Sequence, residues 1–520
     1  MSARVFTLAA LVVLAGWPAR AELRPATALY ACCVEYGVPG VTPRPLPEQA
    51  ALLHEIGSRG PIGLMCFGVP GDARDHLARS MRVCRSWHAP PATDGYVVVV
   101  SKATAGDPEW AAVVDALVER HGAAVVRVAG GPAEALPELR RHRPRYLCFV
   151  ARPEEAGREY VRTVHRVVRS IDGDPFADAY WGILTGYDAA NALAIARTDE
   201  PLIVRMVGAG TQLALEMCEA GFCFDELKAG FAREKHPGEP PRATTVPTDT
   251  TQPIVDLINS GTLDLFVSSG HATERDWQIG FRYPNGQLIS RAGQLIGRDT
   301  DGRLHPVDSP NPKVYLAVGN CLMAHIDGPD AMALAWLNSA GVRQLVGYTV
   351  PTWFGYGGWG LLDFFLEQPG RFTLAEAYLA NQHALVWEHL RQPQSNGHHF
   401  DLEVVVLFGD PGWAARMADG PRAWEQTLTE ADGVWTFTIH PNRGAASFDT
   451  ICDNGSQRGG RPMIQFFPRR LVPGRILEGA EWNPVLADDF LLFPHPGPCD
   501  PARAYRVVFE ADDAPAAAAD

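Results

Sequence analysis

The sequence predicts an α/β protein: two parallel-sheet sub-domains with flanking helices, followed by a small C-terminal β-sandwich. Three observations carry that expectation. Largely apolar runs such as YVVVVS (96–101), RYLCFV (145–150), LDLFV (263–267) and VYLAV (314–318) suit strands buried on both faces. Segments with helical start and stop signals lie between them, and that alternation gives a parallel sheet. After Met417 the texture changes: VWTFTIHP and RAYRVVFEAD alternate apolar and polar residues, as half-buried antiparallel strands do.

Taken in order, residues 1–21 read as a secretory signal peptide. Arg4 supplies the positive charge, residues 5–17 the apolar core, and Ala19-Arg20-Ala21 the cleavage site, which leaves Glu22 as the new terminus. Residues 22–90 are an N-terminal segment with a Pro- and Gly-rich stretch, a candidate pro-segment. The first α/β unit spans 91–200. Its clearest helix starts with Asp107 as N-cap and Pro108 in the first turn, and stops at Gly122. Helices are also expected at 133–142 and 156–170. The second unit spans 201–418. It opens with a strand at 201–207, a loop at 239–248 and a helix at 252–260. An excursion follows with turn signals at Asn285-Gly286 and Asp301-Gly302. Then come a helix at 330–340 closed by Gly341, a strand at 342–350 and the run PTWFGYGGWG. A helical stretch at 361–390 is interrupted near Pro369-Gly370, and a final strand ends at Gly409-Asp410-Pro411. Residues 419–515 form the β-sandwich.

Composition narrows the function. A chain of 520 residues admits two to four domains, on a prior of about 150 residues each. A formal net charge of −14 argues against nucleic acid or an anionic membrane as partner. After the leader no stretch reaches the roughly 18 apolar residues of a membrane span, so the expectation is an exported protein, secreted or periplasmic, without a span. Export permits disulfides. Of the ten cysteines, Cys452 and Cys499 are the leading candidates for a bridge, Cys218 and Cys223 the second pair, and Cys148 a core residue. No spacing matches a zinc site.

Two strand ends carry the chemistry. LDLFVSSGHA presents His271 and KVYLAVGNCLM presents Cys321, 50 positions later. In open α/β sheets ligands bind beyond the carboxyl ends of strands. If these strands are neighbours, a thiol and an imidazole leave the sheet together, as a thiol nucleophile and its proton-transfer partner must. Either residue alone would be unremarkable. Asn320 is placed to shape the turn before the sulfur, and His325 is read as structural. Trp353, Phe354, Tyr356 and Trp359 are candidate walls of a substrate pocket, with Gly355, Gly357 and Gly358 leaving room for a peptide backbone.

The pair resembles clan CD cysteine peptidases, in which one apolar block ends in His-Gly and a second in the catalytic Cys; about 50 residues separate the two in caspases. VVVLFGDPGW (404–413) is similar to the Gly-Asp-Pro segment that closes the catalytic domains of gingipains. His271-Ala272 departs from His-Gly. The resemblance implies an exported cysteine endopeptidase acting on protein or peptide substrates. It implies an oxyanion hole from the N–H groups of Ala272 and Cys321, a third group from the first unit orienting His271 (Asp178 or Asp188), calcium as an optional structural ion, and an immunoglobulin-like tail. The competing reading is a catalytically silent scaffold of the same fold acting as a periplasmic or surface binding module. A serine hydrolase lacks its G-x-S-x-G, and a metal hydrolase its H-E-x-x-H.

Overall fold

The computed structural model describes residues 95–352, 355–394, 396–455 and 457–514. The expected signal peptide and pro-segment, with Cys32, Cys33, Cys66 and Cys84, lie outside the described residues. Twelve strands build one sheet: β1 (Tyr96–Ser101), β2 (Ala124–Val128), β3 (Tyr146–Val150), β4 (Tyr180–Leu184), β5 (Met206–Ala209), β6 (Ala220–Phe224), β7 (Phe231–Lys235), β8 (Arg242–Thr245), β9 (Leu265–Gly270), β10 (Lys313–Asn320), β11 (Val342–Tyr348) and β12 (Val405–Gly409). Their order across the sheet is β2-β1-β3-β4-β12-β11-β10-β9-β5-β6-β7-β8. The expected α/β alternation is present, and the two α/β units share this one sheet. They meet where Phe408 of β12 pairs with Ile183 of β4.

Within the second unit, β5, β9, β10 and β11 are parallel, and β12 runs antiparallel to β11. The apolar runs behave as expected of a sheet covered on both faces: β1, β3 and β9 are buried almost throughout. Helix Pro108–His121 forms at its sequence signals. The Asp107 carboxylate accepts from the Glu109 N–H, and Gly122 leaves the helix in the left-handed region at φ 61°. Under the centre of the sheet, Trp336 stacks on Tyr315 with ring centroids 3.8 Å apart, worth about 1 kcal/mol beyond its buried area. Among the described residues, no helix is long and apolar enough to cross a membrane.

The structure departs from the expectations at several points. The strand expected at 201–207 splits in two at Arg205, because the Asp264 carboxylate accepts from the Arg205 and Met206 N–H groups. The expected loop at 239–248 contains edge strand β8. The excursion is a four-stranded antiparallel sheet whose tight turn is Ala292-Gly293, both at positive φ. The tail forms a four-stranded and a three-stranded antiparallel sheet that share one apolar cluster, with Phe437 and Phe509 from one and Leu491 and Phe493 from the other.

All six described cysteines are free thiols, so neither expected disulfide is formed. Cys452 packs against the core of the main sheet and Cys499 against that of the tail. Cys218 and Cys223 are both buried, and Cys148 is a core residue, as expected.

Candidate active site

β9 and β10 lie side by side in parallel, and their last residues, Gly270 and Asn320, are register partners. His271 and Cys321 therefore follow matched positions on neighbouring strands. A bulge precedes the junction: Ser268 pairs with Ala317 but Ser269 with Gly319, so Val318 is an extra residue on the Cys strand. Bulges bend a strand and re-aim the side chains beyond them. Asn320 locks the end of the bulge. Its amide donates to the Gly270 carbonyl at 3.1 Å, and its oxygen accepts from the Ser268 hydroxyl at 2.6 Å.

The backbone answers the question raised by Ala272. Gly270, one residue before the histidine, carries the positive φ of 96°, whereas Ala272 is not in the left-handed region. The turn's need for glycine is met at 270, and alanine is accommodated at 272. Beyond Cys321 the chain is strained: Leu322 sits at φ 57°, an unusual conformation for a branched residue. The Leu322 N–H donates to the Val350 carbonyl, which holds that turn. Among the described residues, the N–H groups of Ala272 and Cys321 make no backbone hydrogen bond.

Cys321 is partly exposed. Its sulfur accepts from the Thr352 N–H at 3.3 Å and faces the Thr352 carbonyl at 3.8 Å. His271 is exposed, and its ring stacks on Phe281 with centroids 5.0 Å apart. Among the described residues no hydrogen bond joins the imidazole to the sulfur. Catalytic contacts are often loose before substrate binds.

A buried carboxylate that the sequence reading missed lies beneath the His271 turn. Glu226, 8% exposed, accepts from the Ser269 hydroxyl on one oxygen and from Thr211 Oγ1, at 2.7 Å, on the other. Its carbonyl accepts from the Phe281 N–H at 2.6 Å. Glu226 thus ties the end of β9 to the loop carrying the ring that stacks on His271. The signal was in the sequence: AGFCFDE is another apolar run ending in polar residues, the same pattern that singles out His271 and Cys321.

The other expected site residues are placed elsewhere. Asp178 and Asp188 flank β4, four strand spacings, roughly 19 Å, from β9. Asp188 is a helix cap that accepts from the Asn191 N–H at 2.8 Å. Asp178 is buried beside Arg470, 3.7 Å away, and Asp172. Burial and then the Asp172 charge push its pKa well above the usual range. Neither orients His271. Tyr356 and Trp359 do not wall an open pocket either; each is 6% exposed. Tyr356 lies under the Arg461 guanidinium, and Trp359 covers Gly319. The glycines admit the chain's own elements: a Cβ on Gly358 would overlap the Val318 carbonyl. Trp353 and Phe354 lie outside the described residues. His325 closes a turn, its N–H donating to the Leu322 carbonyl.

Among the described residues, one group of carboxylates is close enough to share a cation. Asp172, Asp178 and Asp488 bring oxygens within 4.8 Å of one another. Arg143 and Arg470 pair with Asp488, and Asp174 and Asp489 add two further carboxylates, each raised in pKa by burial first and then by a neighbouring charge, Asp172 for Asp174 and Asp488 for Asp489.

No protein-family model and no curated protein matches this sequence. Among solved structures the fold is similar to that of gingipain R, an Arg-specific cysteine proteinase. The TM-score is 0.41 and the identity 11%, over 78% of this chain and 92% of that one. At that distance residue roles do not carry across.

Proposed function

We propose that the protein is an exported cysteine endopeptidase with Cys321 as nucleophile and His271 as general acid and base. The observation that carries this reading is the register of β9 and β10, which brings the two residues out of the sheet at matched, solvent-accessible positions. An ordinary thiol is mostly protonated at neutral pH, so His271 takes the Cys321 proton as the sulfur attacks a peptide carbonyl. The N–H groups of Ala272 and Cys321 receive the developing oxyanion. His271 then protonates the departing amine. In the second half it takes a proton from water, which attacks the thioester and releases the carboxylate product and the thiol. The tail is read as an immunoglobulin-like sandwich. Calcium belongs to the same reading as a structural ion: Asp172, Asp178 and Asp488 would hold it through carboxylate oxygens, the hard ligands calcium takes. Chelation would then lower the melting temperature and calcium restore it.

One observation favours a catalytically silent scaffold instead: the imidazole stacks on Phe281, and among the described residues the sulfur's hydrogen-bond partner is Thr352, not His271. Thiol labelling separates the two. In a peptidase, Cys321 alkylates fastest of the free cysteines near neutral pH, and His271→Ala slows it. Equal Cys321 labelling in both proteins would leave the scaffold reading standing.

A further inference from the structure

Residues 451–455 and 457–461 belong by sequence to the tail, yet Ile451 and Cys452 among them pack against the core of the main sheet. Arg458 anchors this loop through Asp363 at 2.6 Å and Glu367 at 2.5 Å, and Arg461 meets Asp363 at 2.9 Å. All four side chains are at most 10% exposed. The N–H groups of Ile451 and Cys452 also donate to Glu367, at 2.9 and 3.3 Å. Buried ion pairs contribute little net stability, and their best-attested use is to fix one geometry. What this anchor fixes is the position of Asn454 and Gly455.

The Asn454 amide donates to Thr211 Oγ1 at 2.7 Å and to Glu226 Oε1 at 3.2 Å. The other Glu226 oxygen holds the Ser269 hydroxyl, two residues before His271. Gly455 lies flat against the Trp359 ring, where a Cβ would overlap the indole. The Trp359 Nε1 in turn stands 2.6 Å from where a Cβ on Gly319 would be, two residues before Cys321. Ser269 and Gly319 are register partners. Two adjacent residues of the tail loop therefore bear on the two adjacent strand ends, each through one buried side chain.

We infer that the tail residues Asn454 and Gly455 are a positioning element for the His271/Cys321 pair, with Asn454 acting through Glu226 and Gly455 through Trp359. This rests on the dyad proposed above and adds to it: the tail is part of the working site. Without the Asn454 amide, Glu226 Oε1 loses a donor, and Ser269 and the turn that follows lose their fixed support. Misplacement by an ångström costs a reacting pair about 10²-fold.

The test uses the full-length protein and reads the rate of Cys321 alkylation by iodoacetamide against pH, peptide by peptide, with melting temperature in parallel. Asn454→Ala is expected to slow Cys321 labelling near neutral pH roughly tenfold and to flatten its pH profile toward that of His271→Ala. In the His271→Ala background the same change adds nothing, the non-additivity of residues that act through one another. Arg145→Ala is the control. It removes a different contact between sheet and tail, to the Phe467 and Pro468 carbonyls, and is expected to leave the profile unmoved whatever it does to melting. If Asn454→Ala does not fold, Asn454→Ser, which keeps one donor, carries the test at smaller amplitude. A wild-type profile in the Asn454 variants, with His271→Ala slow, overturns the positioning role and leaves the dyad intact. An Arg145→Ala profile that moves as far as that of Asn454→Ala overturns it too. Wild-type labelling in His271→Ala overturns the dyad itself.

Discussion

Two histidines at opposite edges of this sheet keep very different company. His121 donates from Nε2 to the Asp410 carboxylate at 2.8 Å and stacks on Tyr96, with centroids 4.2 Å apart and rings 2° from parallel. The Tyr96 hydroxyl donates to the other Asp410 oxygen at 2.6 Å, and the Cys148 thiol lies in the same strand layer. By residue type this cluster looks richer in chemistry than His271 and Cys321. Yet Asp410 is 1% exposed and Cys148 is fully buried, and burial pushes the Cys148 thiol far up. The cluster fastens the end of β12 to β1. Beside Asp410, Gln344 of β11 donates to its carbonyl, at the starting end of the parallel strands. His271 and Cys321 sit at the finishing end and meet solvent. Access and register distinguish a candidate site from a structural fastening; the list of residue types does not.

Exchanging the two thiols breaks that comparison most directly. Cys321→Ala is expected to abolish peptide hydrolysis, a loss of about 10⁴-fold or more, and to leave the melting temperature near wild type. Cys148→Ala is expected to do the reverse, with activity kept and about 1 kcal/mol of stability lost from the core. A steady-state assay and urea unfolding on the same preparations would check both. Loss of activity in Cys148→Ala without loss of stability would mean that the wrong edge of the sheet had been chosen.

The Asp410 fastening gives the next effect. Asp410→Asn removes the buried charge that His121, Tyr96 and Arg120 surround, at a cost of about 3 kcal/mol at neutral pH. Burial works against the Asp410 charge, but its hydrogen bonds to His121 and Tyr96 and the nearby positive charges outweigh burial and hold the carboxyl below its usual range. The sign follows. A carboxylate lowered on folding stabilises fully above its unfolded value, about pH 4. That contribution is lost as pH falls through the folded-state value. Asp410→Asn should therefore flatten the acid limb of the stability curve while activity above pH 5 stays with the folded fraction.

How much of this was legible in the sequence depended on whether a signal was local. The His271 and Cys321 junctions stand at the ends of apolar runs, and one residue type after one strand is a short-range pattern. Helix Pro108–His121 was legible because its cap, its first-turn proline and its closing glycine are contiguous. Glu226 was missed because the short strand before it went unrecognised. Asn454 could not be read at all: nothing near it in sequence says that a tail loop returns to a carboxylate more than 200 residues upstream. Gly357 and Gly358 signalled close approach correctly, but what approaches is the protein's own sheet, the Val405 side chain of β12 and the Val318 carbonyl of β10. The cysteine pairs failed for a similar reason, since Cys452 and Cys499 belong to different cores despite sharing the tail.

Tyr96→Phe sharpens the contrast at smaller amplitude. It deletes a hydrogen bond to a buried carboxylate and should cost about 2 kcal/mol, read by urea unfolding, with kcat/KM unchanged.

The smallest effect belongs to the matching ring at the other edge. Phe281 is 44% exposed, so Phe281→Ala should leave stability within about 0.5 kcal/mol of wild type. Its ring is nevertheless the side chain that restrains His271, and freeing that histidine should lower kcat/KM several-fold, roughly 1 kcal/mol in the barrier. Two rings stacked on two histidines would then give opposite results. The buried one changes stability alone and the exposed one changes rate alone. If Phe281→Ala left rate and Cys321 labelling at wild-type values, the stacked ring would be no restraint on the imidazole, and its orientation would have to come from bound substrate.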